Sequence, residues 1–351
     1  MSLFLGIESS CDECSAAVVD FDGSRFKTLS VSTFSQTELH KPYGGVIPEI
    51  ASRNHLETVN WMIDEALTQA GKKMDDMTAI AVTNRPGLVG ALLVGVSATK
   101  ALSFCTKKPV VPVHHLEGHA CSVFLDRKEP IDQLKLPLLL AIVSGGHTCL
   151  YLVKEPPTKW TVDFLKTSLI GQSRDDAAGE AFDKTARLLG FPYPGGIWID
   201  QKSRGGNPKA FDFPRALPQK AVLDYSFSGF KTAVSLVVQD LKKKNELEAR
   251  IPDLCASIQE AIVDALMSKV KLALDRHRCQ SLAIVGGVAA NSLLRERLGK
   301  LGHIQVLTPE MKYCTDNAAM IAAAGALRYT QGHYLSSRES LGLNAIASSE
   351  F

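Results

Sequence analysis

Two stretches of this chain repeat one pattern: an apolar strand, a short tip of small or polar residues, and a second apolar strand. In the first copy the strands are residues 3–9 and 15–19. In the second copy they are residues 138–143 and 149–153. Two such hairpins at corresponding places predict an internal duplication, in which each half of the chain builds its own sheet.

Strand and helix patterns alternate after each hairpin, which is typical of an α/β fold. Residues 27–32 and 160–166 are candidates for a third strand in each sheet, and the hairpins predict mixed sheets with flanking helices. Residues 193–196 are predicted to form a turn, 218–229 an irregular segment and 336–351 a loose tail. The other predicted strands are 78–83, 109–113, 282–285 and 304–307, and the predicted helices are 48–70, 88–104, 175–189, 230–241, 254–274, 292–301 and 316–329.

Length and composition describe an ordinary globular protein. A chain of 351 residues can hold two domains, and 45% hydrophobic with 22% charged residues is a usual balance. The net charge of +2 argues against a polybasic tail, so a nucleic-acid partner would need a local basic face.

The cysteines and the start of the chain predict a cytoplasmic location. The eight cysteines are scattered, several within apolar segments, as expected for free thiols in a reducing compartment. Cys11 and Cys14 form a lone C-x-x-C with no second pair, which disfavours a zinc or redox role. We expect no signal peptide, because a strand pattern begins at residue 3, and no run long enough to cross a membrane.

A pair of histidines follows the predicted strand 109–113. His115 and His119 are four residues apart, so on a helix their imidazoles share one face and can hold one transition metal. The alternative is a pair of surface or core histidines without a ligand. Asp316, at the start of a helix, is either the helix N-cap or a third, hard ligand. Two histidines and one carboxylate would leave coordination positions open, which suits Fe²⁺ or Zn²⁺.

A zinc peptidase is disfavoured by the same stretch. The H-E-x-x-H motif places glutamate directly after the first histidine, but Leu116 occupies that position here and Glu117 follows it. On a helix this shift turns the carboxylate by roughly 100° from the metal-facing side.

Three turns of small residues follow apolar strands, at residues 9–13, 144–148 and 286–291. Glycine-rich turns let backbone N–H groups approach an anionic ligand, so together these turns predict a nucleotide cleft between the duplicated halves. Asp12 and Glu13 in the first turn could position a metal or water or act as a base, or could be ordinary turn residues. Asp183, on a predicted helix, could accept from ribose hydroxyls or pair with a neighbouring basic residue.

Several motifs along the chain together resemble the TsaD family of bacterial tRNA threonylcarbamoyladenosine transferases, formerly called O-sialoglycoprotein endopeptidases. The likeness covers about residues 3–330. The motifs are LGIESSCDE from Leu5, GGVIPE from Gly44, HLEGH from His115, VSGGHT from Val143, DAAGEAFDK from Asp176, YSFSGFK from Tyr225, GGVAAN from Gly286 and CTDN from Cys314.

The resemblance implies a two-lobed actin/hexokinase-like fold and a specific reaction. The family transfers the threonylcarbamoyl group from threonylcarbamoyl-AMP to N6 of adenosine 37, next to the anticodon, in tRNAs that read codons beginning with adenine. By the family's pattern His115, His119 and Asp316 hold a metal, usually given as Fe²⁺. The residues that would line the adenylate site are Val143, Ser144, Gly145, Gly146, His147, Asp183, Gly196, Asp200 and Asn291. The family's usual partners are TsaB and TsaE, with the adenylate made by a TsaC-type synthase.

The resemblance also leaves points open. We expect an N-terminal lobe of residues 1–134 with about 316–335, a C-terminal lobe of 135–315, and the tail. In the first loop, Ser9 and Cys14 stand where the family usually has threonine, and both are small residues. Arg85 stands where the family usually has glycine. Arg85 could alter the loop or contact tRNA or a partner. The alternatives to the transferase are a small-molecule kinase or carbamoyltransferase on the same fold, and a non-enzymatic nucleotide-gated scaffold.

Overall fold

The structure is a computed structural model and describes residues 2–161, 163–215, 217 and 222–348. Its strands are β1 (Ser2–Glu8), β2 (Glu13–Phe21), β3 (Phe26–Ser35), β4 (Ala79–Arg85), β5 (Val110–His114), β6 (Leu138–Val143), β7 (Thr148–Val153), β8 (Leu169–Gln172), β9 (Ser281–Val285) and β10 (Gln305–Leu307). Its α-helices are α1 (Thr37–His40), α2 (Pro48–Ala70), α3 (Val89–Thr106), α4 (His115–Cys121), α5 (Phe164–Ser168), α6 (Ala178–Leu188), α7 (Gly195–Lys202), α8 (Ser228–Lys243), α9 (Leu247–His277), α10 (Ser292–Gly299) and α11 (Ala318–Thr330).

The chain forms two compact units that repeat one topology. Unit 1 comprises Met1–Leu134, Glu155–Thr167 and Pro309–Phe351, and unit 2 comprises Lys135–Lys154 and Ser168–Thr308. The sheet of unit 1 has the order β3-β2-β1-β4-β5, and that of unit 2 has the matching order β8-β7-β6-β9-β10. In each sheet the first three strands in the chain pair antiparallel and the last two add in parallel. The predicted duplication into mixed-sheet halves is therefore confirmed.

The third strand of unit 2 lies later in the chain than predicted. In place of a strand at 160–166, α5 begins at Phe164, and β8 occupies Leu169–Gln172. Trp160 and Phe164 stack with ring centroids 4.3 Å apart, so apolar residues four apart meet on one side of a turn. That spacing fits a helical turn better than strand alternation. Residue 162 of the predicted strand lies outside the described residues.

Two further segments differ from the prediction in where their secondary structure begins. The turn predicted at 193–196 contains the start of α7. Residues 218–221 of the predicted irregular segment lie outside the described residues, and 222–227 contain only an isolated bridge from Tyr225 to Ser173 before α8 begins.

Both faces of the unit 1 sheet are covered by helices. Leu5 and Ile7 of β1 face a core that α2 and α3 help to build. On the other face, a Cβ at Gly6 would lie 2.1 Å from the carbonyl oxygen of Ala318. This close approach agrees with the many alanines of α11, and it brings the start of α11 against β1.

Residues 336–348, which were expected to belong to a loose tail, pack within unit 1, and residues 349–351 of the predicted tail lie outside the described residues. Ile346 N donates to Asn84 O at 2.9 Å, Gly87 N donates to Ala347 O at 3.3 Å, and Ser340 is fully buried. The segment therefore covers the loop that follows β4.

Among the described helices, α3 is long and apolar enough to cross a membrane by length and composition. Its residues Leu92, Val96 and Thr99 are buried, and it packs against α2 and β4. Core helices commonly have this composition, so the feature is weak support for a membrane span.

Candidate metal and adenylate sites

Unit 1 brings two histidines of α4 next to an aspartate that precedes α11. Asp316 Oδ1 lies 3.5 Å from His115 Nε2 and 3.2 Å from His119 Nε2. One ligand atom from each of the three residues lies within 4.8 Å of the other two. Neighbouring ligands of one ion are about 3.0 to 3.4 Å apart when the bonds are about 2.1 Å long. The two distances from Asp316 are therefore close to those expected around a single transition metal.

The structure excludes one of the two roles considered for Asp316, that of the helix N-cap. Asn317, and not Asp316, is the N-cap: its Oδ1 accepts from Met320 N at 3.1 Å. Because Asn317 satisfies the helix end, the carboxylate of Asp316 can lie beside the histidines.

His119 supports the fit of a metal to these residues. Its side chain is fully buried, and among the described residues neither ring nitrogen has a hydrogen-bond partner. A buried imidazole nitrogen without a hydrogen bond is unfavourable, and an ion held through Nε2 would give that nitrogen a partner in addition to the nearby carboxylate of Asp316.

Glu8 contacts the ring nitrogen of His115 that does not face Asp316. Glu8 Oε2 lies 3.1 Å from His115 Nδ1 and accepts from the Thr83 hydroxyl at 2.6 Å, while Oε1 accepts from Ser10 N at 2.6 Å. A carboxylate at the second nitrogen fixes the ring and its tautomer when the first nitrogen binds a metal.

The carboxylates around His115 make the site attractive to a cation. Burial alone would lower the pKa of His115, but the charges of Asp316 and Glu8 raise it to about 9. Burial would likewise raise the pKa of Glu8, but His115 outweighs that effect and the pKa of Glu8 is lowered.

The predicted candidates Asp12 and Glu13 lie close enough to influence this cluster. Asp12 is buried, and Glu13 accepts a long hydrogen bond of 3.4 Å from Ser35. Burial, followed by the charges of Asp12 and Asp316, raises the pKa of Glu13 well above its usual value. A raised pKa makes the ionised form of the carboxylate a stronger base.

Cys11 and Cys14 do not have the properties of reactive cysteines. Burial raises the pKa of Cys14 to about 11 and that of Cys11 well above its usual value. Both thiols stay protonated at neutral pH, which disfavours a nucleophilic or redox role.

Glu117 points to α11 and not to the metal ligands. Its two carboxylate oxygens accept from Arg328 Nε and Nη2, each at 2.7 Å. Burial raises the pKa of Glu117, and the charges of Arg328 and then Arg85 oppose this. Arg85, whose role the sequence left open, ends β4 opposite His114 and thus contributes charge near Glu117.

In unit 2 two predicted turns lie side by side at the carboxyl ends of β6 and β9. Gly286 has φ +95°, and a Cβ there would lie 2.5 Å from Val143 O, so only glycine allows this approach. The hairpin turn closes with Ser144 N donating to His147 O at 2.8 Å. Added Cβ atoms at Gly145, Gly146 and Gly287 would meet nothing within 4 Å, so there is open space beside each of these residues.

The remaining predicted adenylate residues connect α7 to neighbouring segments. Asp183 on α6 accepts from Gly195 N at 2.7 Å, directly before Gly196. Asp200 Oδ1 accepts from the Ser292 hydroxyl at 2.5 Å, and Asn291 Nδ2 lies 3.5 Å from the same oxygen. The structure thus joins Asp200 and Asn291, and it places Asp183 beside Gly196.

Four side chains in these networks were not predicted from the sequence: Glu8, Thr83, Gln259 and Arg328. Gln259 accepts from Asn291 Nδ2 at 2.9 Å. Only Glu8 carried a usable signal, because it is a carboxylate at the end of an otherwise apolar strand, on the same face as Gly6.

Comparison with known proteins identifies the family. A family model described as "TsaD: tRNA N6-adenosine threonylcarbamoyltransferase" matches residues 27–323. The tRNA N6-adenosine threonylcarbamoyltransferase of Syntrophobacter fumaroxidans is 49% identical over 92% of this chain and 93% of its own length. The protein of that name from Listeria welshimeri is 46% identical over 98% of this chain and 95% of its own length.

The chain belongs to the TsaD family. It is a transferase by this membership, and the kinase and scaffold alternatives receive no support from the relatives. Component A of the Acidaminococcus fermentans (R)-2-hydroxyglutaryl-CoA dehydratase has a similar fold, with a TM-score of 0.51 at 15% identity over 97% of this chain and 100% of that one. The actin/hexokinase-like fold expected for a TsaD family member is thus confirmed.

Proposed function

We propose that this chain transfers the threonylcarbamoyl group from threonylcarbamoyl-AMP to N6 of adenosine 37 in tRNAs that read codons beginning with adenine. The observation that carries the proposal is the cluster of His115, His119 and Asp316 in a chain of the TsaD family. In the reaction a bond forms between N6 and the carbamoyl carbon. The bond from that carbon to the phosphate oxygen breaks, and AMP leaves with the electron pair.

Residues of unit 2 would bind the adenylate. The open space beside Gly145, Gly146 and Gly287 suits a phosphate, because N–H groups of such turns can approach an anion. Asp183 and Asp200 carry carboxylates suited to ribose hydroxyls. The other members of the proposed adenylate set are Val143, Ser144, His147, Gly196 and Asn291.

Residues of unit 1 would hold the metal. His115, His119 and Asp316 are its proposed ligands, with Fe²⁺ the leading candidate and Zn²⁺ the alternative. When bound, a divalent cation supplies Lewis-acid chemistry that holds the threonyl part and polarises the acyl carbonyl. Glu8 keeps the His115 ring in the orientation that directs Nε2 to the ion.

Asp12 or Glu13 would accept the proton that N6 loses. Asp12 and Asp316 add to the effect of burial in raising the pKa of Glu13, so the ionised form of Glu13 would be a stronger base than an ordinary carboxylate. The donor is already activated, so the reaction needs no protein nucleophile.

The partners and the location follow the family pattern. We propose that the chain works with TsaB and TsaE on threonylcarbamoyl-AMP from a TsaC-type synthase, in the cytoplasm and without a membrane.

The test supplies preformed threonylcarbamoyl-AMP and unmodified tRNA to the chain together with TsaB and TsaE. The proposal expects one AMP released for each modified adenosine, measured by nucleoside mass spectrometry. Hydrolysis of the adenylate without modification of the tRNA would contradict it. Asp12→Asn and Glu13→Gln test the proton acceptor, and near-normal rates in both variants would remove that role.

A further inference from the structure

A buried ion pair connects the helix that carries both histidines to the helix that follows Asp316. Arg328 Nε and Nη2 each donate to a different oxygen of Glu117 at 2.7 Å. The third guanidinium nitrogen, Nη1, donates to Pro112 O of β5 at 2.8 Å. The side chain of Glu117 is 4% exposed and that of Arg328 is 12% exposed. One guanidinium therefore holds α4, α11 and β5 together.

The geometry of this contact defines the rotation of α4 as well as its position. A bidentate pair fixes the plane of both groups, whereas a single hydrogen bond would leave the carboxylate free to turn. Glu117 lies between His115 and His119 in the chain, so any rotation of α4 that moves Glu117 also moves both imidazoles.

A second contact limits how far α4 can adjust. A Cβ at Gly118 would lie 2.6 Å from Ile321 Cδ1 and 3.1 Å from Met320 Cγ of α11. The backbone of α4 thus touches α11 directly next to the ion pair. Loss of the pair would remove the contact that fixes the rotation of α4, while the fold itself stays supported by the surrounding core.

We propose that Arg328 and Glu117 are positioning residues that fix the rotation of α4 against α11, and thereby hold the Nε2 atoms of His115 and His119 beside Asp316. This inference rests on the proposed function in one respect, because it takes these three residues to be metal ligands. It assigns Glu117 no contact with the substrate or the metal.

The experiment titrates the metal-free, full-length protein with Co²⁺, whose visible absorption bands report the number and geometry of ligands. The variants are Arg328→Gln, Glu117→Gln and Arg328→Lys, which keeps the charge and loses the bidentate geometry. Arg297→Gln is the matched control, because Arg297 makes comparable part-buried pairs with Glu260 and Asp264 in unit 2. Urea unfolding is measured for every variant.

We expect each Arg328 and Glu117 variant to bind Co²⁺ about ten- to a hundredfold more weakly and with altered bands, as is usual when supporting residues of a metal site are removed. Arg297→Gln should lose stability and keep the parent affinity. Parent affinity and bands in folded Arg328→Gln would overturn the positioning role. If Arg328→Gln does not fold, parent behaviour of Arg328→Lys overturns it equally.

The same titration separates this inference from the proposed metal site. A parent band that disappears in His115→Ala but is unchanged in Arg328→Gln rejects only the positioning role. A parent protein without a Co²⁺ band, or one whose band survives in His115→Ala, rejects the proposed site and the inference with it.

Discussion

Glu8 Oε2 lies 3.1 Å from His115 Nδ1, on the side of the ring opposite the proposed metal ligand atom. The carboxylate is fully buried and also accepts hydrogen bonds from Ser10 N and the Thr83 hydroxyl. With three donors around it, Glu8 is itself held in one position. The orientation of His115 is therefore set by the end of β1.

Glu8→Gln is expected to weaken metal binding by about ten- to a hundredfold, because an amide cannot accept from all three donors or favour the same imidazole tautomer. Titration with Co²⁺ measures this. Glu65→Gln is the control: Glu65 accepts from the Ser32 hydroxyl at 2.6 Å but lies on α2, away from the ligands. Equal affinities of the two variants would show that Glu8 does not support the ligand.

Asp316 and Asn317 are neighbours with separable roles. Asn317→Ala removes the cap of α11 and should lower the free energy of unfolding by about 1 kcal/mol, with metal affinity close to that of the parent. Asp316→Asn should leave the cap of α11 in place and bind metal at least about tenfold more weakly, because a charged ligand is lost. Urea unfolding and Co²⁺ titration of both variants check this. The reverse pattern would mean that Asp316 is the cap after all.

Gly6→Ala should destabilise the protein by about 1 to 3 kcal/mol or more, since the new methyl group would overlap backbone atoms of α11. Separation of β1 from α11 should also weaken metal binding, because Asp316 precedes that helix. Gly299→Ala is the control, because a Cβ there meets nothing within 4 Å and the helix end should be unchanged or slightly stabilised. Thermal unfolding of both variants provides the measurement, and equal melting temperatures would contradict the close contact.

Asp126 should make stability depend on acid pH. Burial would raise its pKa, but hydrogen bonds from Tyr313, Thr28 N and Lys312 outweigh burial and lower it. A carboxylate with a lowered folded-state pKa stabilises the protein above its ordinary pKa of about 4, and this contribution is lost as pH falls through the folded value.

Asp126→Asn is therefore expected to cost about 1 to 3 kcal/mol at pH 7 and progressively less below about pH 4. Asparagine also tolerates the left-handed backbone at this position, where φ is +56°. Urea unfolding of the parent and the variant across pH checks the sign. A difference that stays constant or grows in acid would contradict the assigned hydrogen bonds.

The sequence predicted what depends on local pattern. The paired hairpins were visible because each strand is continuously apolar and ends at small polar residues, and His115 and His119 because helical spacing places them on one face. The four-residue strand β8 was missed, because Leu169–Gln172 is too short to show alternation.

The contacts that complete the site could not be predicted in this way. Asp316 meets the histidines only because α4 packs on α11, and Arg328 meets Glu117 for the same reason. Such pairs join residues that are far apart in the chain, so the spacing of residues along the sequence does not predict these contacts. The motif resemblance pointed to Asp316 and included Glu8 without assigning it a role, but it gave no signal for Arg328.

The most direct measurement is the incorporation of labelled threonine into tRNA by the chain, with a TsaC-type synthase, TsaB and TsaE supplied. We predict label that requires the native chain and is lost in His115→Ala/His119→Ala. Equal label with and without the chain would contradict the transferase, and label that survives in the double variant would contradict the role of the two histidines as metal ligands.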